Sequence, residues 1–256
     1  MPTLLLRLAG PLQSWGIDSK FETRRTLPFP TKSGVIGLVA AALGYSRDDD
    51  ESLKRLNSLR FGVRIDREGE LLRDFHTAKG KKDEVSYITE RYYLADAVFL
   101  AGLESDDFEF LCEIEEALHY PEFPLYLGRR SCVPTMPLVL GIRNKPLLIA
   151  LQDEPLQLSE LTRKKLRASS DKRKLRIIAD IAENEKEKIN PAAVLKDLPV
   201  SFSKIHRKFT WRPVREEYIE KSEGAEEAEK LEEIEEIEEI SKTETPTTHD
   251  ALSELE

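Results

Sequence analysis

The order of apolar runs in the first half of this chain leaves few folds open to it. TLLLRL at 3–8 reads as a strand, and GPLQSWG at 10–16 as the loop that leaves it, with Gly10, Pro11 and Gly16 as turn residues. Residues 17–32 are polar, basic and extended, because Pro28 and Pro30 exclude a helix. A helix then starts near Thr31 or Ser33 and closes at Gly44, a natural C-terminal cap. Its small residues Gly34, Gly37, Ala40 and Ala41 suit close packing on a sheet. DDDESLKRLNS at 48–58 is a short amphipathic helix whose acidic first turn fits the helix dipole. LRFGVRIDREG is a second strand, VSYITERYYL has strand propensity, and AVFLAGLE is a core strand. FEFLCEIEEALHYP is a helix ended by Pro121.

Strand, helix, strand, strand, helix, with one strand still owed, is the βαββαβ order of a ferredoxin-like core. Residues 71–96 elaborate it, with AKGKKDE as an exposed loop or hairpin tip. From residue 121 the chain changes character. FPLYLGRRSCVPTMPL is loop-rich, with Gly128, Pro124, Pro134 and Pro137. KPLLIALQ and RKLRIIADI read as strands, with the basic KKLRASSDKRK on the surface between them. DLPVSFSKIHRKFTWRPVREEYI reads as a strand pair or one long closing strand. The fold class is therefore α+β. Residues 1–120 form the ferredoxin-like core, 121–215 a second β-rich portion, and 216–256 an acidic tail. In that tail Leu231, Ile234, Ile237 and Ile240 make one stripe among crowded like charges, so a partial helix and a disordered segment both remain open.

The net charge of -9 conceals a split. Residues 216–256 hold 17 acidic and 3 basic side chains, whereas residues 1–215 hold 31 acidic and 36 basic. A basic body with an electrostatically distinct tail fits nucleic-acid binding. MPTLLLRLAG is too short to span a bilayer and is interrupted by Arg7, and no later run approaches a membrane span. Cys112 and Cys132 form neither a disulfide framework nor a CxxC pair. A cytoplasmic protein with reduced thiols, no membrane contact, no metal and no cofactor is the expectation.

Catalytic motifs are sparse. PTKSG at 30–34 precedes a helix but lacks the glycine that a phosphate loop requires. The free N–H groups of that helix start, with Lys32 and Ser33, can still hold one phosphate. The histidines His76, His119, His206 and His249 do not stand at metal-site spacings, and His119 sits where a helix end takes a cap. Metal-independent RNA cleavage needs a base, an acid and a cation near one phosphate. His76, Lys79, Tyr87 or His206 could supply those groups, but nothing in their spacing shows that they converge.

Four segments mix cations with hydrogen-bonding and stacking groups. One holds Gln13, Ser14 and Trp15, followed by Lys20, Arg24, Arg25 and Lys32. Another holds Lys79, Lys81, Lys82, Tyr87, Arg91 and Tyr92. A third is Arg129, Arg130 and Ser131 after Gly128. The last is Lys204, His206, Arg207, Lys208, Trp211 and Arg212. Arginine grips phosphate with two N–H groups, and aromatic rings stack on unpaired bases. Each segment alone also fits a solvated basic surface, and Trp15 and Trp211 also fit a core.

GPLQSWG, FETRRTLPFPTKSGVIGLVAAALG, DFHTAKG, ITERYYLADAVF, YLGRRSCVP and DLPVSFSKIHRKFTWRPV together resemble the Cas5 family of type I-E CRISPR surveillance complexes, over residues 1–215. The resemblance implies an RNA-recognition-motif-like fold with a thumb hairpin, here near 77–96. It implies a non-catalytic subunit that caps the 5′ repeat-derived handle of CRISPR RNA and helps assemble the complex. The implied protein partners are the large subunit and the Cas7-type backbone subunit, with target DNA touched indirectly. Arg24, Lys32, Arg129 and Arg130 match the family pattern. The expected RNA contacts are Gln13, Trp15, Arg24, Arg25, Lys32, Ser33, Lys79, Tyr87, Arg91, Arg129, Arg130, Ser131, His206, Arg207 and Lys208. Relatives of type I-C cleave precursor RNA themselves, so an endoribonuclease is one alternative and a protein-only adaptor another. The acidic tail departs from the compact family form.

Overall fold

The computed structural model describes residues 1–16, 22–78, 86–160, 162–164, 173–182, 191–203, 205 and 207–221. Met1–Leu158 and Lys174–Ile219 form one compact unit, and Ser159–Arg173 with Glu220–Glu256 a second. The described part of the second unit holds a Lys164–Glu160 ion pair one helical turn apart, at 3.1 Å.

The first unit is a mixed α/β body on a seven-stranded sheet. Its elements begin with β1 (Thr3–Ala9), β2 (Leu12–Gln13), β3 (Thr23–Arg24), α1 (Lys32–Ala42) and α2 (Asp50–Asn57). β4 (Arg60–Arg67), β5 (Glu70–Ala78), β6 (Tyr87–Ala95), β7 (Val98–Glu104) and α3 (Phe108–His119) follow. Beyond them lie β8 (Val139–Arg143), α4 (Leu147–Asp153), β9 (Arg173–Asp180), β10 (Ala193–Ser201) and β11 (Lys208–Lys221). The large sheet runs β10-β11-β9-β4-β7-β1-β8, and takes strands from both sides of residue 120. β7 lies antiparallel between β1 and β4, with Leu5 opposite Gly102 and Val63 opposite Ala101. β8 follows α3 and pairs antiparallel with β1.

β1 is apolar almost without alternation because both of its faces are covered. Leu4, Leu6 and Leu8 join the cluster of Val35, Ile36, Val39 and Ile114 from α1 and α3. Leu5 joins Leu100, Leu147 and Leu151 under α4. The helix starts follow their capping residues. Thr31, Asp49 and Asp107 accept from the backbone N–H groups of Gly34, Ser52 and Phe110. Gly44, at φ +74, ends the first of these helices as expected.

KPLLIALQ is a helix and not the expected strand. A short apolar run has no periodicity to decide between the two. Here buried charges at each end decide it. The Leu147 N–H donates to Glu104 Oε1 at 2.9 Å. At the other end the fully buried Arg64 guanidinium donates to the carbonyls of Leu151, Glu154 and Pro155. A carboxylate at the N-terminus and a guanidinium at the C-terminus both suit the helix dipole.

A smaller sheet stands apart from the large one. β6 pairs along its length with β5, from Glu70 opposite Ala95 to Ala78 opposite Tyr87, and it also pairs with β2 at Leu94–Ala95 and with β3 at Glu90–Arg91. β3 joins β6 in parallel, which places Arg24 beside Arg91. Apart from Ala78, the AKGKKDE tip that joins β5 to β6 lies outside the described residues.

Candidate nucleic-acid interface

The GRRS segment is seated by close backbone contact. Leu127 accepts from the Ser14 N–H at 3.1 Å, and its own N–H donates to Cys132 O at 2.7 Å. Gly128 takes φ +88, and a Cβ there would lie 1.8 Å from Ser14 O. Only glycine fits, for conformation and for space. From this fixed point Arg129 and Arg130 diverge towards two different basic regions.

Arg129 turns to the small sheet. Its Nη2 donates to Arg24 O at 2.8 Å, and its guanidinium lies 4.7 Å from the centre of the Tyr93 ring. Burial pushes the Tyr93 phenol up, but hydrogen bonds with Ser131, Arg129 and Arg91 outweigh it and hold the pKa below the ordinary tyrosine value. Arg91 Nε and Arg129 Nη1 are buried and meet no acceptor among the described residues. Arg24 itself is exposed beside them. Cations with unmatched donors around a phenol make a centre suited to phosphate.

Arg130 turns to a cleft of about 950 Å³ beside α1. Gly37, Ala40 and Ala41 line it with small side chains, so a flat group can approach the helix closely. Tyr126 and Phe202 supply aromatic walls, and Arg47, Arg130 and Arg207 supply charge. Asp48 is the one carboxylate among its lining residues. Arg207 packs 6.0 Å from the Phe202 ring centre. Its desolvation and the nearby Arg47 charge both lower its pKa. Like charges held together in this way favour a polyanion between them.

The structure corrects three expected contacts. Gln13 is fully buried, and its amide donates to Leu8 O and Ala97 O. Trp15 is 1% exposed, donates to Gln13 Oε1 at 3.1 Å, and lies so close to Gly34 that a Cβ there would be 2.8 Å from the ring. Both brace the core. Lys32 is buried, and its ammonium donates to Leu59 O at 2.7 Å and Asp180 Oδ2 at 2.9 Å, with a longer contact to Asn57 O. Its backbone N–H donates to Asp197 Oδ2 at 2.8 Å. The helix start expected to receive a phosphate is thus occupied by the chain's own carboxylates. Ser33 is 8% exposed, with Oγ 3.4 Å from Thr31 Oγ1, and it lines the cleft next to Gly34.

Arg212 completes this buried network. It binds Asp197 through Nε at 2.6 Å and Nη2 at 2.9 Å, and it also pairs with Asp180. The network ties the start of α1 to β9, β10 and β11. It thereby fixes the strand pair that Phe202 and Arg207 flank, one just after β10 and the other just before β11.

Of the remaining expected contacts, Arg91, Arg129 and Ser131 converge on Tyr93, while Arg130 and Arg207 meet at the cleft. Arg25 and Lys208 are exposed, and Tyr87 is exposed on the β5–β6 hairpin, away from these groups in sequence and register. Lys79 and His206 lie outside the described residues. His76 is exposed and paired with Asp74. Tyr93 and Arg47 are site residues that sequence reasoning does not reach. Tyr93 sits in an ordinary strand and Arg47 precedes an acidic run, so neither has a local signal. Among the described residues no group of three His, Cys, Asp or Glu side chains is placed for a metal, and no helix is long and apolar enough to cross a membrane.

The family model for CRISPR-associated protein Cas5 matches residues 3–215. The CRISPR system Cascade subunit CasD of Escherichia coli strain K12 is 42% identical over 159 residues, spanning 54% of this chain and 70% of that protein. A chain of a CRISPR RNA-guided surveillance complex superposes with TM-score 0.69 at 34% identity, covering 86% of this chain and 91% of that one. A second solved structure, described as a Cas protein, superposes with TM-score 0.61 at 40% identity, covering 84% and 94%.

Proposed function

We propose, because the chain belongs to the Cas5 family of CRISPR-associated proteins, that it is a non-catalytic subunit that caps the 5′ repeat-derived handle of CRISPR RNA in a Cascade-type complex. The observation that carries this reading is the divergence of Arg129 and Arg130 from the Gly128 turn. One arginine reaches the Tyr93 centre and the other the aromatic cleft. A single strand crossing the loop meets phosphate donors on one side and stacking rings on the other, the combination that unpaired RNA requires.

Other features support the same reading. The order β8-β1-β7-β4, with helices between β1 and β4 and between β7 and β8, supports a ferredoxin-like core. The β5–β6 hairpin corresponds to the thumb. It exposes Leu71, Phe75 and Ile88 on one face, which suits contact with neighbouring subunits. Those neighbours are the large subunit and the Cas7-type backbone subunit of a cytoplasmic antiviral assembly, through which target DNA is engaged indirectly.

Fluorescence anisotropy of labelled repeat-derived RNA with the purified full chain tests this function, alongside metal-free incubation with precursor RNA. Binding that falls when Arg129 and Arg130 are both changed to Ala, with the precursor left intact, is the expected result. Shortening of the precursor by the chain alone would overturn the non-catalytic reading, and unchanged binding by the double variant would remove the loop from the site.

A further inference from the structure

The cleft does not account for the aromatic residues on the outer side of the β10–β11 pair. Arg207 connects the two. Its guanidinium faces Phe202 of the cleft at 6.0 Å and Phe209 of β11 at 5.3 Å. Two residues further along the same strand stands Trp211, 61% exposed. Lys196 of β10 reaches to 5.9 Å from its ring centre. Strand geometry puts Phe209 and Trp211 on one face, about 7 Å apart along the chain.

Alternation turns Arg212 and Val214 to the opposite, buried face, where Arg212 is bound to Asp180 and Asp197. The one acidic side chain of β10 is therefore directed away from Trp211. Val194 is exposed opposite Pro213, which extends the apolar surface beside the ring. β10 is the last strand of the sheet order, so this surface lies at an open edge.

We propose that Phe209 and Trp211 form a stacking platform for unpaired bases of a single-stranded RNA that continues out of the cleft past Arg207. This rests on the RNA-holding function proposed above and adds a second contact region to it. Each ring has a cation beside it: Arg207 at Phe209 and Lys196 at Trp211. Rings on a strand with flanking cations take successive bases without regard to sequence, because every base has a π-face. Continuity with the cleft and the charge beside each ring favour RNA over a protein partner on this surface.

The chain has two tryptophans, and Trp15 is enclosed in the core, so emission from the exposed indole reports on Trp211. The test is titration of the full chain with a single-stranded repeat-derived RNA, followed by intrinsic fluorescence and by anisotropy of the labelled RNA. The platform predicts quenching in the native chain that is absent in Trp211→Phe, whose affinity is retained. It predicts that Trp211→Ala binds roughly tenfold more weakly, and that Lys196→Glu is also weakened. Because Trp211 is exposed, these variants keep the fold, which a matching melting temperature verifies. Unchanged emission together with undiminished binding by Trp211→Ala would overturn the platform. If Arg129→Ala with Arg130→Ala still abolishes binding in that case, the RNA-holding function survives alone. No binding by the native chain would overturn both. Emission that shifts only when a protein subunit is added without RNA would assign the surface to that subunit and also overturn the platform.

Discussion

Gly128 stands so close to Ser14 that a Cβ on it would lie 1.8 Å from the Ser14 carbonyl oxygen. At φ +88 the same residue is also in a conformation that favours glycine. Gly128→Ala is therefore expected to push the loop off the 13–15 segment. The cost is about 1–3 kcal/mol of stability, and RNA affinity falls because both arginines lose their common anchor. Thermal melting beside RNA anisotropy separates this from Arg129→Ala with Arg130→Ala, which is expected to weaken binding with a much smaller change in melting temperature. A Gly128→Ala protein with native affinity would show that the turn does not position the site.

Removing one partner of the buried network is expected to be severe, because the charges left behind have no water to replace it. Asp197→Ala takes the acceptor from Arg212 and from the Lys32 N–H. The expected loss is about 3–5 kcal/mol, read by urea unfolding. A loss within experimental error of zero would mean that the network does not hold the strand pair in place.

Asp180 gives the same network a pH dependence. Burial pushes its carboxyl up, but the charges of Lys32 and Arg212, and hydrogen bonds from Lys32 and the Phe61 N–H, bring it below the ordinary aspartate value. A carboxyl with a depressed folded-state pKa contributes stability above its unfolded value, about 3.9, and that stability is lost as pH falls through the folded value. Unfolding free energy is thus expected to drop as pH falls below about 4. Asp180→Asn should start lower at neutral pH and lose less on acidification. Parallel curves for the two proteins would contradict the role given to Asp180.

Ionic strength distinguishes the surface cations from the buried one. On a single strand, each phosphate that the protein neutralises adds about 0.7 to the steepness of log K against log salt. Arg130→Ala and Arg207→Ala are each expected to reduce the steepness by about this amount. Lys32→Met should leave it unchanged while lowering stability, since its ammonium is enclosed by Asp180 and Leu59. A shallower dependence in Lys32→Met would return that residue to the RNA surface.

Tyr93 offers a direct reading of the arginine centre. Its phenol is held below the ordinary pKa by Ser131, Arg129 and Arg91 against the opposing effect of burial. A phosphate bound by those arginines would offset their charge, so RNA is expected to raise the Tyr93 pKa. Ultraviolet difference titration of the native chain against Tyr93→Phe, with and without RNA, measures this. An unmoved titration would place the phosphate elsewhere.

Much of the core is legible in the sequence because local chemistry and global packing agree there. Thr31, Asp49 and Asp107 mark helix starts, Gly44 marks a helix end, and the apolar run of β1 marks a strand covered on both faces. The segment at 145–152 is not legible, because its conformation is decided by Glu104 and Arg64, which are remote in sequence. Gln13 and Lys32 look like surface groups, and Trp15 fits either a surface or a core, for a related reason. Their polar atoms are satisfied by Leu8, Ala97, Leu59, Asp180 and each other, pairings that composition does not reveal. The GRRS arginines are legible as cations after a glycine turn. That they face two different regions depends on where Tyr93, Arg24 and α1 meet the loop, which only the fold supplies.

Whether the GRRS arginines hold the 5′ handle is read by ultraviolet crosslinking and footprinting of the RNA in the assembled complex, with the native chain and with Arg129→Ala plus Arg130→Ala. The 5′ handle is expected to be protected by the native chain and exposed with the double variant, with the RNA keeping its length. Full protection of the handle in the complex carrying the double variant would contradict that role.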